Sequence, residues 1–295
     1  TRRGLAGTVA DIAALVPVAD ALNTTSHHGG VRTIPSLEVA GEVRRAGGEP
    51  IPQICGRDVD PDAYLGHLVA IGEAGMSNVL CLTGDWPAGR AGAPPGREAF
   101  FRMDSAQMIH EARHLREEGR GAFADLGGRT APRLFIGAAI NPASAPGGAV
   151  ISRLAQKIAC GTDFVQTQLV CDADPFRDWL RRVEQEGLLD DVFVLASVPV
   201  LGSARGLAVA AGLPGVRIPE ALRSRLSGAA DPAAEGVAFA CELSETLLEG
   251  SPVHGLHFMN FGADARDVAR VIAHARGVAR AVRRPAHAGA GTGRG

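Results

Sequence analysis

Hydrophobic positions along this chain follow two rhythms that alternate from one end to the other. Short runs dense in Val, Leu, Ile and Ala read as buried strands, over residues 21–25, 49–55, 79–83, 134–139, 164–168, 192–196 and 255–259. Between them, apolar residues recur at helical spacing. Helices are predicted over 7–16, 35–46, 60–74, 104–118, 148–159, 175–186, 203–211, 219–226, 232–248 and 264–283. Local chemistry marks many of the ends. Pro17 stops the first helix, Gly47 and Gly48 the second, and Asp60-Pro61 and Asp104-Ser105 open two more. The sharpest break follows Val79–Thr83: Gly84 frees the backbone, Asp85 sets a carboxylate at the strand's exit, and Pro87 forbids continuation.

Strands that alternate with helices pair in parallel through right-handed crossovers. Each predicted strand leaves into polar or Gly-rich sequence, as in an α/β (β/α)8 barrel whose site lies at the C-terminal rim. A doubly wound sheet would show a Gly-rich phosphate fingerprint after its first strand, and none is present. Seven strands are countable and the chain opens on a helix, so the first strand of the barrel is expected upstream of Thr1. No shift in composition divides residues 1–283, which are expected to form one domain. Residues 284–295 have nothing to bury and are expected to be a disordered tail. The Gly, Pro and Ala between Pro87 and Gly96 are expected to form a mobile loop.

Charge and composition narrow the function. The net charge is −2 and basic residues do not cluster, which argues against nucleic acid as a partner. No apolar run reaches membrane-spanning length. Cys55, Cys81, Cys160, Cys171 and Cys241 never form a C-x-x-C pair, so reduced thiols and a cytoplasmic setting are expected, with no metal. Of 30 basic residues, Lys157 is the only lysine. A compact ammonium differs from a guanidinium where it must sit against a phosphate or a carboxylate.

The expected exits gather Thr25, His27, His28, Gln53, Asp85, Asn141, Gln168, Ser203 and Asn260. Such a rim, rich in amides and poor in charge, suits a large planar heterocycle such as a flavin or a pterin. Asp85 either works at that mouth or caps the next helix. Gln166 and Gln168, two apart on one strand, are expected to share a face, with Gln168 nearer the mouth. Adjacent His27 and His28 point apart and are poor co-ligands for one ion, while His110 and His114 read as a solvent-facing helix stripe. Trp86 is a candidate stacking ring or a lid.

The run Leu82-Thr83-Gly84-Asp85-Trp86-Pro87 resembles the L-[RT]-G-D-x-P signature of the methylenetetrahydrofolate reductase family. The likeness continues in order through residues 20–25, 52–58, 100–107, 157–168 (close to K-x-x-A-G-A-D-x-x-x-T-Q), 214–219 and 255–258. It implies a flavin-bearing barrel that passes hydride from NAD(P)H to the methylene carbon of a tetrahydrofolate. FAD is the implied flavin, with FMN possible in its place. Asp85 and Gln168 would be the catalytic residues, and with Ser203 would bind substrate. Thr25, Gln53, Leu82, Thr83, Gly84, Asp85, Phe101, Ala138 and Lys157 would line the flavin site, Lys157 at its phosphates. A homo-oligomer is expected.

The chain also departs from that family's pattern. The family's acid, a Glu before a Pro-Pro pair, has no match within it. Gln53 stands where many members carry a His, Ile140 replaces an aromatic, and Arg153 and Gln156 replace phosphate-side residues. A folate-binding transferase without flavin is the alternative that these departures leave open.

Overall fold

The computed structural model describes residues 4–25, 33–84, 102–119, 126, 130–144 and 147–282. Seven strands run β1 (Leu22–Thr24), β2 (Pro50–Cys55), β3 (Asn78–Leu82), β4 (Phe135–Ile140), β5 (Phe164–Leu169), β6 (Phe193–Leu201) and β7 (Gly255–Phe261). They form one sheet in sequence order, and every neighbouring pair is parallel. The helices are α1 (Gly4–Leu15), α2 (Ser36–Arg45), α3 (Pro61–Glu73), α4 (Ser105–Glu118), α5 (Gly147–Cys160), α6 (Ala173–Gln185), α7 (Ala204–Ala211), α8 (Glu220–Ser227), α9 (Pro232–Gly250) and α10 (Ala265–Val282).

The sheet curls. Asn23 on β1 hydrogen-bonds both Gln166 on β5 and His257 on β7, strands that a flat sheet would hold far apart. Only a sheet wrapped toward closure brings these three side chains together, so the architecture is a (β/α)8-type barrel with seven strands among the described residues. No pairing joins β7 to β1 among the described residues. On the outside, α1 packs on α10, and Arg276 of α10 pairs with Asp20 just before β1.

Alternation along each strand separates two cores. Val79, Cys81, Ile136, Ala138, Val165, Val194 and Ala196 face the helices in one continuous apolar layer. Ile51, Leu80 and Phe164 face the barrel interior, with Leu82 and Leu195 against them. Gly137 makes room for that filling: a Cβ there would lie 2.2 Å from the Phe164 ring. A third cluster, including Leu169, Leu201, Leu207, Leu222 and Phe261, joins α7 and α8 to the exits of β5–β7.

The strand count matches expectation, but several boundaries move. β6 continues to Leu201, past the expected end at residue 196 and through Pro199. Beyond Ser197 it pairs with β7 alone, and a one-sided stretch of strand tolerates a residue without an N–H. The capping signals hold. Asp60 accepts the Ala63 N–H at 2.8 Å, and Asp104 with Gln107 forms a reciprocal capping box, each cap worth about 1 kcal/mol. No described helix is long and apolar enough to cross a membrane. All five cysteines are free thiols, with Cys81 and Cys171 buried. The expected tail and the stretch from Pro87 to Gly96 lie outside the described residues.

Candidate functional site

The C-terminal ends of the strands carry the rim, and three groups of residues organise it. The first lies where β1, β2 and β3 exit. Ser36, the first residue of α2, donates its hydroxyl to Thr24 O at 2.6 Å and accepts the Gln53 N–H at 3.1 Å, so one side chain ties β1 to β2. Thr25 follows as an exposed residue, and Gln53 is half-buried, in register with Leu80 on the interior face. Leu82 lies against the interior cluster. Thr83 Oγ1 accepts the Ser105 N–H at 3.0 Å, holding the start of α4 against the strand exit. Gly84 has φ +91°, and a Cβ there would press on Arg57 Cβ at 3.1 Å. That cation went unnoticed in the sequence. Arg57 forks onto Asp58 through two hydrogen bonds of 2.8 Å.

The second group surrounds the lone lysine. Lys157 on α5 donates to Ala139 O at 2.8 Å and to Ser105 Oγ at 3.0 Å, clamping β4, α4 and α5 together. Burial pulls its ammonium below the usual lysine value, with the buried Cys81 and nearby Asp104 opposing. Behind it, the Tyr64 hydroxyl donates to Met108 O at 2.8 Å and lies 3.2 Å from Cys81 Sγ. Burial pushes the Cys81 thiol up to about 12, so it stays protonated. Ala138 belongs to this same sheet–helix core and is fully buried. Its place among the flavin-lining candidates therefore meets a physical obstacle, because it offers no surface to a ligand.

The third group sits across the mouth. Gln168 Nε2 donates to Pro214 O at 3.3 Å, and Asn141 Nδ2 donates to the same carbonyl at 3.1 Å. The turn there is close: Gly215 has φ +73°, and a Cβ on it would meet the Asn141 amide at 2.2 Å. Gln168 Oε1 accepts the next backbone N–H, that of Leu169, at 3.0 Å. Gln168 and Asn141 are thus brought together, with the turn at Pro214 as their common partner. Ser203 caps α7 by accepting the Gly206 N–H at 3.0 Å, and Asn260 closes its own turn through two bonds to Ala263. These two serve local structure.

Deeper inside lies a polar chain that the sequence did not flag as a unit. Ser197 Oγ is 2.5 Å from Thr167 O and gives its single hydrogen there. At His257 Nδ1, 2.9 Å away, it must therefore accept, which fixes the imidazole as the neutral Nδ1–H tautomer. His257 Nε2 is then bare and accepts from Asn23 Nδ2 at 3.2 Å. The other Asn23 amide hydrogen goes to Gln166 Oε1 at 2.6 Å, and Gln166 returns one to Asn23 Oδ1 at 3.0 Å. His257 keeps some exposed surface, yet its ring lies deep among protein atoms, and burial pulls it down to about 4. One signal could have found this set: each of four apolar strands carries a polar residue on its inward face.

Asp85, Phe101, Trp86, His27 and His28 lie outside the described residues. His110 and His114 lie on α4 with His110 exposed and His114 paired to Glu118 at 3.1 Å, as the stripe reading expects. No cluster of three His, Cys, Asp or Glu residues able to hold a metal occurs among the described residues.

Comparison with known proteins meets this geometry. No curated protein matches the chain in sequence. Among solved structures, an uncharacterized protein from Clostridium thermocellum that binds two copies of 5-methyl-5,6,7,8-tetrahydrofolic acid is similar in fold. It has a TM-score of 0.63 and 17% identity over 94% of this chain and 88% of that one. Tryptophan synthase from M. tuberculosis aligns at a TM-score of 0.38 and 18% identity, over 79% of this chain and 86% of that one. That likeness is too weak to argue from. The family model described as methylenetetrahydrofolate reductase matches residues 5–274, from α1 into α10. The chain belongs to the methylenetetrahydrofolate reductase family.

Proposed function

We propose that this chain reduces 5,10-methylenetetrahydrofolate to 5-methyltetrahydrofolate, with NAD(P)H as electron donor and a flavin as carrier. The observation that carries the reading is the family match over residues 5–274 of a barrel whose rim presents Gln168 and Asn141 side by side. Folate binding by the C. thermocellum protein of similar fold supports the substrate class. Gln168 would orient the pterin by exchanging its bond to Pro214 O for one to the ring. Asp85, shortly after β3 in the sequence, would favour the cationic iminium form of the methylene carbon that accepts hydride.

The residues fit the two ends of a flavin unequally. Thr25, Gln53, Leu82, Thr83 and Gly84 form an uncharged, hydrogen-bonding margin at neighbouring strand exits, which suits a flat ring system. A flavin bound there would supply two-electron storage between nicotinamide and folate. Lys157 fits the phosphates only in part as placed, because two of its three ammonium N–H groups already serve Ser105 Oγ and Ala139 O. That one observation favours a second reading, a flavin-free folate-binding protein that moves a one-carbon unit without redox chemistry.

One preparation tests both readings. Purified protein that holds or takes up flavin, and oxidises NAD(P)H only with methylenetetrahydrofolate, supports the reductase. Folate binding with no flavin uptake and no nicotinamide oxidation overturns it in favour of the second. Asp85→Asn should lower turnover far more than folate affinity, and equal losses of both would remove the electrostatic role.

A further inference from the structure

Between Gln166 and Leu169 the pairing of β5 with β6 slips: Gln166 faces Leu195 and Leu169 faces Ser197, three steps on β5 against two on β6. One extra residue is accommodated, which is a β-bulge. Its effect on the side chains is specific. Strict alternation would send Gln168 inward beside Gln166, as the sequence implies. Instead Leu169 takes the position in register with Ser197, and Gln168 is displaced to the rim, where its amide reaches Pro214 O.

A bulge leaves backbone groups without ladder partners, and here two hydroxyls replace them. Thr167 Oγ1 accepts the Ser197 N–H at 3.0 Å and donates to Gln168 O at 2.8 Å. Ser197 Oγ donates to Thr167 O at 2.5 Å and is held in turn by His257. Both hydroxyl residues are buried, Ser197 completely and Thr167 at 4% exposure, so water cannot stand in for either bond.

We infer that Thr167 and Ser197 are positioning residues for Gln168: their hydroxyls hold the bulge that turns this amide from the barrel interior to the folate-binding mouth. The inference rests on the proposed folate role of the rim, and it adds the device that aims the amide. Loss of either hydroxyl lets β5 relax toward regular alternation and withdraws Gln168 from Pro214.

A double-mutant cycle tests this, with 5-methyltetrahydrofolate as the probe. Thr167→Val should weaken binding about tenfold in the otherwise native chain, and by less than about twofold in a chain that already carries Gln168→Ala. Thr167→Ser, which keeps the hydroxyl, should restore the native value. Ser197→Ala should repeat the pattern and stands in should Thr167→Val not fold. Equal weakening with and without Gln168, or none in either, overturns the inference, since a merely structural role would act on both backgrounds alike. If the native chain binds no folate, the functional reading fails, and aim is judged separately by the NMR signals of the Gln168 side-chain amide. Those signals should move in Thr167→Val and Ser197→Ala; unchanged signals overturn the positioning role on their own.

Discussion

Across β2, β3 and β4 the inward positions include Ile51, Leu80, Leu82 and Gly137, with the amides Gln53 near the exits and Asn78 at the entry of β3. Across β5, β6, β7 and β1 the corresponding positions carry Gln166, Ser197, His257 and Asn23. The first side is joined by an unbroken backbone ladder. On the second, β7 and β1 share no ladder among the described residues, and the bonds Asn23–His257 and Asn23–Gln166 span the opening instead. β5, β6 and β7 are joined by backbone ladders as well, so pairing alone does not decide how the interior is filled. At the seam between β7 and β1, directional side-chain bonds from Asn23 take over the joining.

The apolar filling, to which β5 contributes Phe164 at the end away from the mouth, is expected to be the more sensitive to truncation. Phe164 is buried, lies across Gly137 and stacks on Phe135 with centroids 5.2 Å apart. Phe164→Ala should cost about 3–5 kcal/mol by denaturant unfolding, since the ring plugs a space that no neighbour can refill. A loss under about 1 kcal/mol would mean that the interior collapses around the gap, and the contrast between the two sides would dissolve.

The polar side is expected to respond to acid. His257 falls from its usual 6.5 to about 4 in the fold because burial disfavours its charged form. Between those values the unfolded chain binds more protons than the folded one, so stability rises with pH across the interval and is fully present above it. As pH falls through 6.5 to about 4 the native chain should lose roughly 2–3 kcal/mol relative to His257→Asn, and little more below that. Parallel pH–stability curves for the two proteins would show that the imidazole does not need to be neutral.

The amide pair offers a smaller and cleaner test. Asn23→Leu strands the Gln166 amide and should cost about 1–3 kcal/mol, whereas adding Gln166→Leu removes the orphan and should recover part of that loss. Strict additivity of the two substitutions in unfolding experiments would deny that the pair acts as a unit.

Much of this architecture was legible because periodicity and punctuation agree. Seven apolar runs became seven parallel strands, and Asp60 and Asp104 cap the helices they precede. What stayed hidden depends on contacts between distant strands. Gln166 and Gln168 share a face only if β5 is regular, and the extra residue that separates them shows itself in pairing with β6, which no local pattern in β5 encodes. Asn23 and His257 lie 234 positions apart in the chain, and only the curl of the sheet makes them neighbours. Ala138 entered the flavin set through the family resemblance alone, and alternation turns it toward the helices, into the buried core. Ser203 looked like a rim hydroxyl for ligand, and its oxygen is taken by the first turn of α7.

Lys157 sharpens the comparison last, because it is a polar clamp on the outer face of the otherwise apolar side. Two effects oppose each other in Lys157→Met. The substitution removes hydrogen bonds to Ala139 O and Ser105 Oγ, and charged donors make such bonds stronger than neutral ones. It also relieves an ammonium whose lowered pKa records that burial disfavours its charge. The stem of methionine fills nearly the same volume, so packing changes little. The hydrogen bonds should win by a small margin, giving a loss of about 1 kcal/mol in thermal or denaturant unfolding. Flavin retention, where the protein holds flavin, should be unchanged, because two of this ammonium's three N–H groups are directed into the fold. The reverse result, unaltered stability with flavin lost, would return Lys157 to the phosphates and make the outer clamp incidental.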